Sequence, residues 1–402
     1  HAQPVVADHG VQTTRPVLHR RGGRRDRLAG RLQLPMGLGQ WVCVRARLGD
    51  QIEDSIESIN IRFPKPLARG DLIAVTAPSS GVPSALHPQL NLALDALRNR
   101  GYRVVEGECL RGQVNGASAT RQKRSAELMS FLTDPNIAAV LPPWGGELAM
   151  ELLDLLDFEV LATASPKWFS GFSDVSTLQL PLLIRSGWAT LHGPNLMQLA
   201  ATDIDPTTDA IWRVLAAAHD QPITQHASAA FECAGVAAAG LPQRQPTRWQ
   251  RLDGSSAPLS LQGRLIGGCI DSISRLAGTR YGDVPAFVRS MSKDSAILYL
   301  ENAELKPCEL VCALLGLRLN GWFNGLSGIL IGRNADPDTS ASNDFNYLDA
   351  LRAGFVALQC PILIDLDIGH VAPQLSLVNG ALAEVFFSHG RGTVLQRLGS
   401  KS

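Results

Sequence analysis

The sequence predicts an α/β protein: an N-terminal domain on a parallel, Rossmann-like sheet, followed by a second, C-terminal α/β domain rich in strands. Three observations carry this. Short apolar runs alternate with longer helix-patterned stretches between residues 72 and 156, the rhythm of strand–helix–strand units with right-handed crossovers. A second set of such runs begins near Leu261 after a stretch of weak pattern. Of 402 residues, 45% are hydrophobic and 18% charged, which suits a chain with a sizeable core and excludes wholesale disorder.

Each element follows from local pattern. Leu72-Ile73-Ala74-Val75 is a buried strand ending in the turn Ala77-Pro78-Ser79-Ser80-Gly81. Leu90 to Arg100 carries apolar residues at 90, 94 and 97 and stops at Gly101, so it reads as a helix. Tyr102 to Val105 is a second strand, Ser118 to Leu132 a helix, and Ile137 to Leu141 a third strand. Gly145-Gly146 then leads into a helix over Leu148 to Leu156. In a parallel sheet, sites form where strand C-termini meet loops, so the turns at Ser79-Ser80, Gly145-Gly146 and Phe172-Ser173-Asp174 share that edge. Turn formers and polar residues dominate 204–260, read as a partly ordered linker region. Beyond it, Gly267-Gly268 opens a helix from Asp271, Ala296 to Leu300 and Leu326 to Gly332 are strands, and Glu309 to Leu319 is a helix. Pro361 to Leu366 is a strand ending at Gly369-His370. The expected organisation is a leader over 1–63, domains over 64–203 and 261–396, and the linker between them.

Composition narrows the function. Lys+Arg and Asp+Glu are both 37, so the balanced charge gives no electrostatic case for a nucleic-acid polymer or an anionic membrane. No apolar run reaches the roughly 18 residues of a spanning helix. Seven scattered cysteines read as free thiols in a reducing compartment, here the cytoplasm. The first 50 residues hold nine Arg, no Lys and three acids, an Arg-rich composition compatible with a transit peptide but read here as a disordered extension or as upstream DNA translated in error.

Several residues could carry chemistry. His370 follows a strand and a glycine, where an imidazole can reach a cleft as a general base; a histidine simply bonded within its loop is the competing reading. Glu301 ends the strand Ile297-Leu298-Tyr299-Leu300, and a carboxylate there must be paired or exposed. It could orient a histidine, or form a salt bridge or a cap. Asp174, with Ser173, reads first as a cap for the helix that follows. Gly145-Gly146 allows close backbone approach to an oxyanion, although a lone glycine pair is a weak signal. Cys308 and Cys312 lie four apart without evident partners and read as buried thiols, not a metal site. His192-Gly193-Pro194 reads as a structural turn.

As an ordered set, these strings resemble the LD-carboxypeptidase family, which includes the microcin C self-immunity peptidases. The carriers are Gly70-Asp71-Leu72-Ile73-Ala74-Val75 with Ala77-Pro78-Ser79-Ser80, Gly145-Gly146 with Leu152-Leu153 and Asp157-Phe158, and Pro166-Lys167-Trp168-Phe169. Gly171-Phe172-Ser173-Asp174, His192-Gly193-Pro194, Gly267-Gly268, Gly278-Thr279, Leu300-Glu301 and Gly369-His370 continue the series over residues 64 to 390. Trp144 and Trp322-Phe323 are closer to the microcin-immunity branch. The resemblance implies a homodimeric serine peptidase without metal or organic cofactor. Its site would lie in the cleft between domains, with Glu301 as triad acid, His370 as base and the backbone near Gly146 as oxyanion turn. Its substrate would be a small peptide or an aminoacyl-nucleotide conjugate. The sequence departs from the family at one point: aligned on Gly145-Gly146 and Leu152-Leu153, the serine position holds Ala149, which has no hydroxyl. The readings left open are another hydroxyl in reach (Ser79, Ser80 or Ser173), a water or nucleophilic role for Glu147, or a protein that binds a peptide-nucleotide or muropeptide without cleaving it.

Overall fold

The computed structural model describes residues 59–201, 203–233, 243–291, 294–335 and 345–399. Most of the expected leader therefore lies outside the described residues. Its last five, 59–63, are built into the fold: Arg62 donates to the carbonyls of Ala164 (2.8 Å), Leu161 (3.2 Å) and Ser186 (3.0 Å). Its own N–H and C=O pair with Gly187 and Ala189.

The first sheet contains β1 (Leu72–Val75), β2 (Arg103–Glu106), β3 (Ile137–Val140), β4 (Trp168–Gly171) and β5 (Thr190–His192) in the order β5-β4-β3-β1-β2, all mutually parallel. Helices cover its faces. That over His87–Asn99 buries Leu90, Ala93, Leu94 and Leu97, the i, i+3, i+4, i+7 stripe of an amphipathic helix. The helix over Ser176–Ser186 is buried almost all round, Gln179 and Pro181 included, because it lies between the two lobes of the fold. The helix expected from Ser118 starts at Arg121, where Thr120 accepts from the Lys123 N–H as N-cap. The helix expected over 148–156 is a single 3₁₀ turn, Ala149–Leu152. Three side chains explain this. Ser79 and Asp174 hold the amides of Leu148 and Ala149, and Asp157 caps a new helix (Phe158–Thr163) through the Glu159 and Val160 amides.

The second lobe is a mixed eight-stranded sheet. Its strands are β6 (Ile223–His226), β9 (Gln250–Arg251), β10 (Leu259–Cys269), β11 (Ala296–Glu301), β12 (Leu326–Gly332), β13 (Ile362–Leu366), β15 (Leu382–Ser388) and β16 (Arg391–Arg397). The order is β6-β16-β15-β10-β11-β12-β13-β9, with β10 to β13 parallel and the outer strands antiparallel. A separate pair joins β7 (Ala230–Glu232) to β8 (Arg244–Pro246). The stretch 204–260, expected as a linker, thus supplies both edge strands, β6 and β9. It reads as polar because polar groups are what it buries: Gln225 donates to Ser376 O (2.7 Å) and accepts from Ser376 N (3.0 Å) in the interior. Finally β14 (Leu377–Asn379), from the C-terminal part of the chain, pairs antiparallel with β5 and completes the first sheet. Among the described residues, no helix is long and apolar enough to cross a membrane.

Candidate active site

The central parallel strands of the second lobe end at one edge. The register sets Cys269, last residue of β10, opposite Glu301, last residue of β11. The chain leaves β13, passes over that edge and delivers His370. Gly369 makes the passage feasible: its φ is +90°, and a Cβ there would fall 2.5 Å from Cγ and Cδ of Glu301. His370 Nδ1 donates to Glu301 Oε2 at 2.7 Å, which leaves Nε2 of the neutral ring as the free lone pair. The Phe172 ring packs edge-on against the imidazole, with centroids 4.7 Å apart.

Electrostatics favour charge separation across this pair. Burial works against both ions, but the Glu301 carboxylate raises the His370 pKa above its ordinary value, and the imidazolium lowers that of Glu301. His192, fully buried between the rings of Tyr299 and Phe172, is different: burial pushes it down to about 4, so it stays neutral.

The remaining expected residues come from the first lobe. Asp174 Oδ2 accepts from Ser79 Oγ (2.6 Å) and from the Ala149 amide (2.8 Å), while its Oδ1 accepts from Thr177 Oγ1 (3.0 Å). Asp174, expected as a cap, receives no amide of the helix that follows it; its carboxylate is taken up instead by Ser79, Ala149 and the Thr177 hydroxyl, and so ties three segments together. Ser79 also accepts from Leu148 N (3.0 Å), so its hydroxyl is committed. Ser80 Oγ donates to Gly116 O. The glycine pair is sterically required: a Cβ on Gly146 (φ +140°) would enter the Ser79 and Ser80 hydroxyls, and one on Gly145 would meet Ser173 Cβ at 2.8 Å. Ala149 is fully buried at the start of its 3₁₀ turn. Ser173 sits at the junction of β4 and the helix that follows, in the left-handed region at φ +63°.

A cavity of about 220 Å³ collects these groups, lined by Gly146, Glu147, Ser173 and Asp174 from one side and by Cys269, Asp271, Arg275, Glu304 and His370 from the other. A larger groove, about 650 Å³, lies away from these groups along β6, β15 and β16. Burial raises the Glu147 pKa, with the charges of Asp174 and Glu304 adding to it and Arg275 opposing. Sequence reasoning missed Cys269, Asp271 and Glu304. Asp271 accepts from the amides of Ala303 (3.0 Å), Glu304 (2.9 Å) and Leu305 (3.2 Å), which fixes the loop after Glu301. The available signal was the Gly267-Gly268 pair: Gly268 (φ +156°) lies against Ser176, as a strand end meeting another segment must. Cys308 and Cys312, expected to be buried thiols, are exposed on the helix over Pro307–Leu319.

Comparison with known proteins fits this geometry. Residues 73–193 match the LD-carboxypeptidase N-terminal domain and residues 262–385 the LD-carboxypeptidase C-terminal domain. The probable murein peptide carboxypeptidase of Bacillus subtilis is 24% identical over 329 residues, covering 81% of this chain and 92% of that protein. The microcin C7 self-immunity protein MccF of Escherichia coli is 22% identical over 332 residues, covering 81% and 93%. The crystal structure of an MccF-like protein from Bacillus anthracis superposes with a TM-score of 0.70 at 22% identity, covering 83% of this chain and 99% of that one. Two sheets joined at a cleft, with the two domain matches in register along the chain, place this protein in the LD-carboxypeptidase family.

Proposed function

We propose that the protein is a hydrolase that cleaves an amide in a small peptide or an aminoacyl-nucleotide conjugate, working in the cytoplasm as a homodimer. The observation that carries this is the His370–Glu301 pair at 2.7 Å on the wall of the acid-lined cavity. In this reading His370 takes a proton, Glu301 steadies the imidazolium, and the backbone around Gly146 receives the developing oxyanion. Ala149 occupies the family's serine position, so the attacking group comes from elsewhere. Ser79 and Ser80 are engaged in hydrogen bonds. Ser173, on the cavity wall, is one remaining source, and a water taken up between Glu147 and His370, which line the same cavity, is the other. The substrate class rests on relatives: MccF is solved with aspartyl sulfamoyl adenosine and with glutamyl sulfamoyl guanosine, and other relatives are murein carboxypeptidases.

Ala149 favours a second reading, in which the cleft sequesters such a ligand without cleaving it. Incubating the purified protein with aspartyl sulfamoyl adenosine and with a muramoyl tetrapeptide, with product detection by mass spectrometry, separates the two. Turnover that His370→Ala abolishes supports the hydrolase. Tight binding with no turnover, converted to turnover by Ala149→Ser, establishes the sequestering protein.

A further inference from the structure

Position 149 has no hydroxyl, but a second place in the fold is built to present one. β4 ends at Gly171, and the chain turns through Phe172, Ser173 and Asp174 into the helix over Ser176–Ser186. Ser173 holds φ at +63°, a left-handed backbone that a serine keeps only where its surroundings enforce it. They do so here. A Cβ on Gly171 would lie 2.5 Å from Asn195 Oδ1 and 3.1 Å from Val175 Cγ1, so a glycine two residues before the serine lets the residue two after it close the turn. Asn195 Oδ1 also accepts from the Phe172 amide at 3.2 Å. A strained serine between a buried parallel strand and a helix is the elbow that exposes a nucleophile. The hydroxyl is also free: Ser173 Oγ has no hydrogen bond among the described residues, whereas Ser79 and Ser80 both have one. It is half-buried on the wall of the cavity that His370 lines, and the ring of Phe172 beside it packs against the imidazole, 4.7 Å between centroids. Ser272, another hydroxyl on that wall, lies inside the short helix Ile270–Ile273 and carries no such strain.

We propose that Ser173 is the nucleophile of this hydrolase and that the reaction runs through an acyl ester on its Oγ. The claim rests on the hydrolase reading and names its attacking atom. His370 Nε2 takes the Ser173 hydroxyl proton as Oγ bonds to the amide carbonyl carbon. The C–N bond then breaks, and the leaving nitrogen takes that proton from the imidazolium. A water, deprotonated in turn by His370, attacks the ester. The bond from the carbonyl carbon to Oγ breaks, the acid departs, and Oγ recovers its proton from His370. Backbone donors converge where the oxyanion forms. The Asp174 N–H, in the first position of its 3₁₀ turn, has no acceptor within that turn, and the residue after an elbow serine supplies just such a donor. A Cβ on Gly145 would come 2.8 Å from the Asp174 nitrogen and 3.0 Å from Ser173 Oγ, so the glycine pair and the serine share one corner that any side chain at 145 would fill. Position 149 is closed off by comparison: Ala149 is fully buried, and its amide is bound to Asp174 Oδ2 at 2.8 Å.

The test reads the serine itself. The full chain is treated with a fluorophosphonate and, separately, acid-quenched during incubation with aspartyl sulfamoyl adenosine or a muramoyl tetrapeptide; peptide mass spectrometry then locates any adduct. The expected result is an adduct on Ser173 that His370→Ala abolishes. Amide turnover should fall at least about a thousand-fold in Ser173→Gly and stay unchanged in Ser272→Ala. Glycine is the replacement of choice because it takes the left-handed backbone without strain, and a thermal melt verifies that the variant is folded. The adduct on the unmodified chain needs no variant, so a folding failure leaves the test intact. An adduct on a different residue, no adduct on Ser173, or turnover in folded Ser173→Gly within ten-fold of the unmodified chain overturns the proposal. The two claims separate cleanly. Turnover without an adduct on Ser173 sinks this inference and leaves a hydrolase that uses water directly, whereas an adduct on Ser173 without turnover of either compound upholds the nucleophile and refutes the substrate class.

Discussion

His370 and Glu301 hold each other's charge, and the signs fix how the pair responds to pH. The raised His370 pKa contributes stability that is fully present below the unfolded value of about 6.5 and is lost as pH rises through the folded value. The lowered Glu301 pKa contributes stability present above about 4.3 and lost as pH falls through its folded value. The pair therefore stabilises most between those two folded values. Urea midpoints of the protein and of Glu301→Gln, measured across this range, should differ most inside that window and converge at alkaline pH; a constant gap would refute the ion pair. In the proposed hydrolase, the neutral imidazole would be the working form. Activity should rise with pH through a midpoint above 6.5, and Glu301→Gln should move that midpoint down. Gly369 bears on the same pair. Gly369→Ala should cost at least about 1–2 kcal/mol in chemical denaturation through its left-handed backbone and should also disturb the Glu301 side chain it overlies. The positions of Glu301 and His370 were readable because Glu301 ends a clear apolar strand and His370 follows one by four residues. Cys269 was not, because a cysteine after Gly-Gly looks like any small buried residue until the register of β10 on β11 is known.

At the scale of elements, apolar runs revealed strands and polar ones concealed them. β1, β11 and β12 are buried along most of their length and stand out as continuous aliphatic stretches. β6 and β9 are short, lie at sheet edges and carry Gln225 and Gln250, so nothing in their composition separates them from a linker. Residues 59–63, expected within the leader, are held by Arg62 together with Ile59, Ile61 and Phe63, which pack against the core. Arg62→Ala removes three hydrogen bonds to carbonyls on the Phe158–Thr163 and Ser176–Ser186 segments. It should lower the unfolding free energy by about 1.5–3 kcal/mol, read from the urea midpoint. Just after β12 and β13, Arg333 pairs with Asp367 at 2.5 Å, and Asp367 also accepts from Trp249 Nε1 (2.8 Å) and Ser228 Oγ, deep in the interior. Arg333→Met leaves that carboxylate uncompensated and should cost about 3–5 kcal/mol by the same measurement. A loss below about 1 kcal/mol would show that Trp249 and Ser228 suffice.

For the whole molecule, the two-lobe α/β plan was legible from the alternation of runs, whereas the interlacing of the lobes was not. A boundary near residue 261 suggests two beads on a string. Instead, the three residues of β14 return from the far end of the chain to pair with β5, and Asn379 reaches Thr190 Oγ1 (3.2 Å), Tyr299 Oη (2.8 Å) and the Gly267 amide (3.1 Å). This has a consequence during synthesis. A ribosome that has made everything through β5 has made a sheet whose outer strand still shows bare N–H and C=O groups to solvent. That rim stays open until residue 379 clears the exit tunnel, so the nascent chain must be kept from sticking to its neighbours for nearly two hundred further codons.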